Sequence, residues 1–267
     1  MKLRKKTVAK PWGQRVLPDV FGGERAKNIG EIWFQPPASI MPALMVKYLF
    51  TSERLSIQVH PDNRMARNAG LPSGKDECWL VLDAEADAVL GIGPKTKASD
   101  AKLRAAAALG EIENLIDWKP AKPGDFYYIP AGTVHAIGPG LQLLEIQQNV
   151  DVTYRLYDYG RPRELHLDEA IAAAKAEPYR MKFHQHVDPD TSMPISDGPY
   201  FRTFQVVGPD IDLISNVPAS EWQIIPLQGS VKVRGKLIKA GECGLCTSVS
   251  EIDLSKNEKC IIATNMK

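Results

Sequence analysis

Short apolar stretches separated by turn-forming residues recur along the chain, and this spacing predicts antiparallel β structure. Strands are expected over residues 29–34, 45–50, 55–59, 78–82, 126–129, 141–146 and 153–157. Gly91, Gly93-Pro94, Pro123-Gly124 and Gly138-Pro139-Gly140 mark turns between them. Three stretches have helical character instead. Residues 62–69 open at Pro61-Asp62, residues 100–115 are rich in Ala and Leu with Ser99 available as N-cap, and residues 168–176 form the third. The pattern loosens over 179–199, where Asp188-Pro189-Asp190 and Ser196-Asp197-Gly198-Pro199 read as a linker. Beyond it, strands are expected over 201–207, 211–215, 222–226, 230–233, 252–254 and 260–263, with turns at Gly229, Gly235-Lys236 and Gly241. The reading is an all-β protein with helical insertions. A sandwich or barrel fills residues 1–180, and residues 181–267 supply a linker and a second, smaller β unit. At roughly 75 residues that second unit lies near the lower size limit for an independent core.

Composition narrows the function. Hydrophobic residues make up 44% of the 267, enough for a core of this extent. The 33 basic and 32 acidic residues nearly cancel. That argues against a general nucleic-acid or membrane surface and leaves any anionic ligand to a few local cations. No run is long and apolar enough to cross a bilayer, and the basic start from Met1 to Lys6 is not followed by a signal-peptide core. A soluble, cytoplasmic protein is expected, monomeric or weakly homodimeric. Cys243 and Cys246 form a Cys-x-x-Cys pair, but Cys78 and Cys260 are isolated in apolar runs and no βαβ pattern lies near. Structural thiols are expected, not a disulfide framework or a zinc ribbon.

Two segments carry the chemistry. In Leu55-Ser56-Ile57-Gln58-Val59-His60-Pro61, Gln58 and His60 alternate with Ile57 and Val59, so on a strand both point to one face. Glu77 follows in Gly74-Lys75-Asp76-Glu77-Cys78-Trp79. The second segment, from Gly124 to His135, reads Gly-x5-Pro-x-Gly-x2-His. Its Pro-x-Gly step makes a turn that delivers His135 onto the next strand. Gln58, His60, Glu77 and His135 together offer two nitrogens and two oxygens, a set that suits zinc or a neighbouring divalent metal. The alternative is a pair of ordinary half-buried histidines. His166 reads as a helix-start residue, His184 and His186 as linker residues, and Trp12 and Trp33 as core.

The second segment is similar to the second motif of the cupin superfamily, with Pro139 where an asparagine commonly follows. The first cupin motif usually reads His-x-His and then a glutamate. Here Gln58 stands in place of the first histidine, Glu77 comes later, beyond an inserted helix, and Ser52 and Ala84 replace flanking glycines. Those departures point to one branch. The segments Leu55 to Asn63, Gly74 to Trp79, Pro130 to Ile137 and Leu144 to Arg161, in this order, resemble the type I mannose-6-phosphate isomerases in their short bacterial form. Lys10-Pro11-Trp12-Gly13 and Gly30-Glu31-Ile32-Trp33 are similar to that family too. The resemblance covers about residues 8–175 and fades in the tail. It implies a cupin jelly-roll barrel followed by a smaller cupin-like unit, which has no metal site because no histidine follows His186.

The resemblance also implies roles. The family's zinc ligands fall on Gln58, His60, Glu77 and His135, one ion per chain. The implied reaction interconverts mannose 6-phosphate and fructose 6-phosphate through a cis-enediol. Arg155 matches the family's catalytic arginine, a fixed cation suited to a developing oxyanion; the alternative is a surface arginine paired with Asp151 or Asp158. Lys75 matches an active-site lysine and should share a face with Glu77 if the segment is extended. Glu145 matches a glutamate proposed in proton transfer, and it serves either as base or as a partner that orients a ligand. Ser56 matches a substrate-contacting serine, and Arg161 lies where longer relatives carry a basic residue, either on the phosphate or as a turn-stabilising charge. Two competing functions are a sugar-phosphate-binding module without turnover and a metal-dependent cupin oxygenase. Gln58 disfavours the oxygenase, because such sites more often present three histidines.

Overall fold

The computed structural model describes residues 1–266 and builds them into three antiparallel sheets. The first runs in the order Arg4–Val16, Glu24–Gln35, Leu44–Thr51, Leu141–Gln148, Glu77–Ala84, Asp125–Ile129 and His184–His186. The second runs Tyr154–Tyr157, Ile57–Val59, His135–Ile137, Val89–Pro94 and Ile116–Pro120. The third runs Met193–Asp197, Phe201–Val207, Asn257–Asn265, Trp222–Val233 and Lys236–Lys239. Gly244–Cys246 and Ile252–Asp253 pair with its longest strand.

Strand alternation explains how these sheets stack. In the first sheet, Leu49, Trp79, Val81, Tyr127, Leu141 and Leu143 pack with Leu90, Ile92 and Ile137 of the second, which closes the barrel interior. Their sequence neighbours Tyr48, Phe50, Cys78, Leu80, Phe126 and Tyr128 turn the other way. They meet Phe201, Ile225, Leu245 and Ile261 of the third sheet. The central strands of the first sheet, Leu44–Thr51, Leu141–Gln148, Glu77–Ala84 and Asp125–Ile129, are therefore buried on both faces and read as nearly continuous apolar runs. The far face of the second sheet carries Ile57, Val59, Ala136 and Leu156 under the helices Asp100–Ala108, Ile112–Leu115 and Leu167–Ala173. A separate apolar cluster around Trp222, Val231, Val233 and Ile262 fills the third sheet's own interior.

Several elements depart from the sequence-based expectation. The single helix expected over 100–115 is two, Asp100–Ala108 and Ile112–Leu115. Gly110 sits between them at φ 72°, a left-handed conformation that ends the first helix. The strand expected over 211–215 is a helical turn, Asp212–Ser215, which buries Ile214 and has Asp212 in its first turn. The turn expected at Gly229 is a bulge within one continuous strand, Trp222–Val233, where the register against Asn257–Asn265 shifts at φ 70°. The stretch read as a linker adds His184–His186 to the first sheet and Met193–Asp197 to the third. The strand Arg4–Val16 escaped notice because it is an edge strand whose charged side chains face solvent. All four cysteines are buried and free, and burial pushes each thiol up, which fits structural thiols.

Candidate metal centre and sugar cleft

Three chain segments meet at the mouth of the barrel. Gln58 lies mid-strand in Ile57–Val59 and is the direct cross-strand partner of His135, the first residue of His135–Ile137. His60 follows that first strand by one residue, and Glu77 opens Glu77–Ala84. Register brings Gln58 onto His135, and the packing of the first sheet on the second brings Glu77 to them. His60 Nε2 lies 3.3 Å from Glu77 Oε2, and His135 Nε2 lies 3.4 Å from Glu77 Oε1. Gln58 Nε2 is 3.2 Å from His135 Nε2. His60, Glu77 and His135 are each 1% exposed, and they form a group whose ligand atoms all lie within 4.8 Å of one another.

The donor atoms converge on the centre, and the two oxygens of Glu77 are the ones left without a hydrogen bond. His135 Nδ1 is 2.9 Å from the Thr133 carbonyl, which only accepts, so Nδ1 carries the proton and Nε2 keeps its lone pair. Both carboxylate oxygens of Glu77 are buried without a well-directed hydrogen bond. Buried polar atoms are rarely left so, and a bound cation satisfies them. The Gln58 amide fits as well. Ser56 Oγ lies 3.1 Å from its oxygen, and turning the amide over would aim the oxygen at the centre while the nitrogen donates to Ser56. Burial pushes His60 down to about 3, with the Lys75 ammonium acting in the same direction, and burial also lowers His135. Both imidazoles are therefore neutral, the form that binds metal. Burial opposes ionisation of Glu77, but Lys75 and then His60 outweigh it and hold the carboxyl well below its ordinary value. This group can hold one metal ion.

A cleft of about 160 Å³ opens beside the centre. Ser56, Gln58, Lys75, Glu145 and Arg155 line it, so five of the sequence-derived site residues share one space. Lys75 is 4% exposed, with its Nζ 3.0 Å from Glu77 and 3.2 Å from His60. Burial disfavours its charge, but Glu77 and Glu145 outweigh that and raise its pKa. Glu145 faces Lys47 Nζ at 3.2 Å and accepts from the Trp79 indole at 3.3 Å. Burial pushes its pKa up, against the pull of Lys47. Arg155 pairs across strands with Gln58, and its side chain donates only to the Glu164 carbonyl, at 3.4 Å; its Nε is buried without a partner.

One expectation fails on position. Arg161 does not line the cleft. Its guanidinium is held by Asp158 at 3.2 Å, by Glu53 at 3.0 Å and by the Arg54 carbonyl at 2.7 Å. The turn-stabilising alternative describes it. Arg163 takes the place at the cleft wall and grips the same Asp158 through two nitrogens, at 2.5 and 2.6 Å. Lys10, Glu31, Lys47, Asp151 and Thr153 also line the space. Lys47 had a visible signal: a lone charge inside Leu44-Met45-Val46-Lys47-Tyr48-Leu49-Phe50 must be buried and must find a partner. His166 sits at the start of Leu167–Ala173, as expected, and bonds the Arg155 amide through Nδ1 at 3.3 Å. Trp12, read as core, is buried and also lines the cleft.

An all-β cupin-type barrel whose mouth gathers two histidines and a glutamate defines a protein class: a cupin with a metal-binding group beside a charged cleft. Within it, the chain is similar to mannose-6-phosphate isomerases. It is 41% identical over 147 residues to the mannose-6-phosphate isomerase of Streptococcus mutans, a match covering 53% of this chain and 46% of that protein. It is 44% identical over 137 residues to the mannose-6-phosphate isomerase ManA of Bacillus subtilis, covering 48% and 42%. The chain thus matches about half the length of these curated relatives. In three dimensions it superposes on the crystal structure of the mannose 6-phosphate isomerase from Bacillus subtilis with a TM-score of 0.80 and 27% identity, over 99% of each chain. No protein-family profile matches the chain.

Proposed function

We propose that this protein interconverts mannose 6-phosphate and fructose 6-phosphate with a divalent metal held by Gln58, His60, Glu77 and His135. The observation that carries the reading is the buried, convergent donor set of His60, Glu77 and His135, with both Glu77 oxygens lacking a hydrogen bond, opening onto a cleft with Lys75, Glu145 and Arg155. Two imidazoles, an amide and one carboxylate favour Zn2+. When bound, such an ion supplies a positive centre that polarises a sugar oxygen.

The chain's own groups would do the rest. In the open-chain aldose, a base takes the proton from C2 while the C1 carbonyl oxygen gains one, giving the cis-enediol. The proton then returns to C1 and the C2 hydroxyl loses its own, leaving the ketone. Glu145, a buried carboxyl with a raised pKa, suits the proton-transfer role. Arg155 and Lys75 are cations suited to charge developing on the sugar oxygens. Ser56 suits a hydroxyl contact to substrate, and Arg155 is the arginine at the cleft without a carboxylate bound to it, so it is the cation available to the phosphate, with Arg163 beside it paired to Asp158. The proposal extends to a cytoplasmic location and to a monomer or weak homodimer. No helix among the described residues is long and apolar enough to cross a membrane.

A coupled assay tests this. The full chain is stripped with a chelator, reloaded with Zn2+ and given fructose 6-phosphate, and mannose 6-phosphate is measured. Turnover should vanish on stripping and return with the metal. A metal-loaded protein that binds the sugar phosphate without producing mannose 6-phosphate would leave the binding-module reading in its place.

A further inference from the structure

Among the buried charged side chains that the mechanism does not use, Asp76 lies nearest the candidate ligands in sequence. Asp76 lies between Lys75 and Glu77 and is 4% exposed. It faces away from the cleft. Its Oδ1 accepts the Ala131 amide at 2.9 Å, and its Oδ2 accepts the Tyr128 hydroxyl at 2.8 Å. Ala131 belongs to the turn Pro130-Ala131-Gly132-Thr133, whose Thr133 carbonyl fixes the tautomer of His135.

The three ligand-bearing segments are tied to one another by hydrogen bonds. Lys75 N donates to the Pro61 carbonyl at 3.0 Å, and Gly132 N donates to the His60 carbonyl at 2.9 Å. The first joins the His60 segment to the Glu77 segment, and the second joins it to the His135 turn. On the remaining side, from the Glu77 segment to the His135 turn, the strand pairing ends at Glu77 with Ile129, and the Asp76 carboxylate carries the connection past that end onto the turn itself. A further pair of bonds with Gln148, at 2.9 and 3.0 Å, holds the backbone of Asp76 itself. A buried carboxylate is expensive, and here it is retained where it joins two ligand segments.

We propose that Asp76 is a positioning residue for the metal centre: its carboxylate locks the turn that aims His135 at the position shared with His60 and Glu77. The inference rests on the metal reading above. Groups behind metal ligands typically alter affinity about 10- to 100-fold when removed.

The test is a Co2+ titration of the full chain followed by the visible absorption of the bound ion, which reports ligand geometry, with near-ultraviolet circular dichroism to check folding. Asp76→Ala should weaken Co2+ binding about 10- to 100-fold and shift the absorption bands. Asp76→Asn keeps a carbonyl for the Ala131 amide and should recover affinity to within about threefold of the parent. Asp76→Glu retains charge and acceptors but moves them by one methylene. It should weaken binding at least about tenfold, which keeps the question answerable if the alanine variant does not fold. A general loss of stability, produced by Val231→Ala within the third sheet's own separate apolar cluster, should leave the affinity and the spectrum unchanged. Parental affinity and spectrum in folded Asp76→Ala or Asp76→Glu would overturn the inference alone. A parent chain that takes up no cobalt would overturn the metal reading and this inference with it.

Discussion

Lys47 and Glu145 face each other at 3.2 Å in the barrel interior, with Gln147 accepting from the same ammonium at 2.7 Å. Removing one member leaves the other charged and buried, which typically costs about 3–5 kcal/mol. Lys47→Met should therefore lower stability by about 3–5 kcal/mol in urea unfolding. A loss under about 1 kcal/mol would show that Glu145 simply takes up a proton and tolerates the change. Arg155 differs, because its side chain has only one long contact to protein and otherwise faces the cleft. Arg155→Ala should keep the metal and lose about 100-fold or more in rate, checked by metal content against turnover in the same preparation. At this scale much of the site was legible. Gln58 and His60 declare a shared face through strand alternation, and the Pro130-Ala131-Gly132 step announces His135. Arg163 was not legible, because which of two nearby arginines enters the cleft depends on how Asp158 folds back on both.

Among the elements, the helix Asn63–Asn68 follows His60 directly, and its start is set by one cap. Asp62 Oδ1 accepts the Met65 amide at 2.8 Å, and that bond holds the Asp62 carboxyl below its ordinary value. The sign follows from that depression. The cap contributes fully above the unfolded carboxyl's pKa, about 3.9, and its contribution is lost as pH falls through the lower folded value. Asp62→Ala should cost about 1 kcal/mol at pH 7. The gap between parent and variant should narrow once the pH drops below about 4. Urea titrations at two pH values measure this, and a gap that widens in acid would contradict it. The helix start at Pro61-Asp62 was readable in the sequence, though not the cap itself, and so was the cap at Ser99, whose side chain accepts the Lys102 amide. What the pattern misjudged were places where tertiary geometry decides. Gly229 looks like a turn but serves as a bulge, and Ile211-Asp212-Leu213-Ile214 alternates like a strand yet closes into a helical turn over buried Ile214.

At the level of the whole molecule, the proposed division at residue 180 separates the candidate metal-binding residues from the third sheet but does not separate their packing. Phe201, fully buried in the third sheet, stacks on Tyr128 of the first at 5.3 Å between ring centroids. Tyr128 in turn donates to Asp76, beside Glu77 of the candidate metal group. The strand bridge of Lys2 to Gly244 and the bond from the Leu3 amide to the Cys243 carbonyl, at 2.9 Å, tie the chain's first residues to the same sheet. One apolar cluster thus runs from Leu3 through Tyr48 and Leu80 to Ile225 and Ile261. A fragment ending at 180 would expose the outer face of the first sheet. The two β units should therefore unfold together. Phe201→Ala removes a large buried ring and should cost about 3–5 kcal/mol. That loss should move the unfolding midpoint of the whole chain, seen identically by circular dichroism and by release of bound metal. Two separate transitions, with the metal retained while the third sheet melts, would show instead that residues 1–180 stand alone and that the shared cluster contributes little to the barrel.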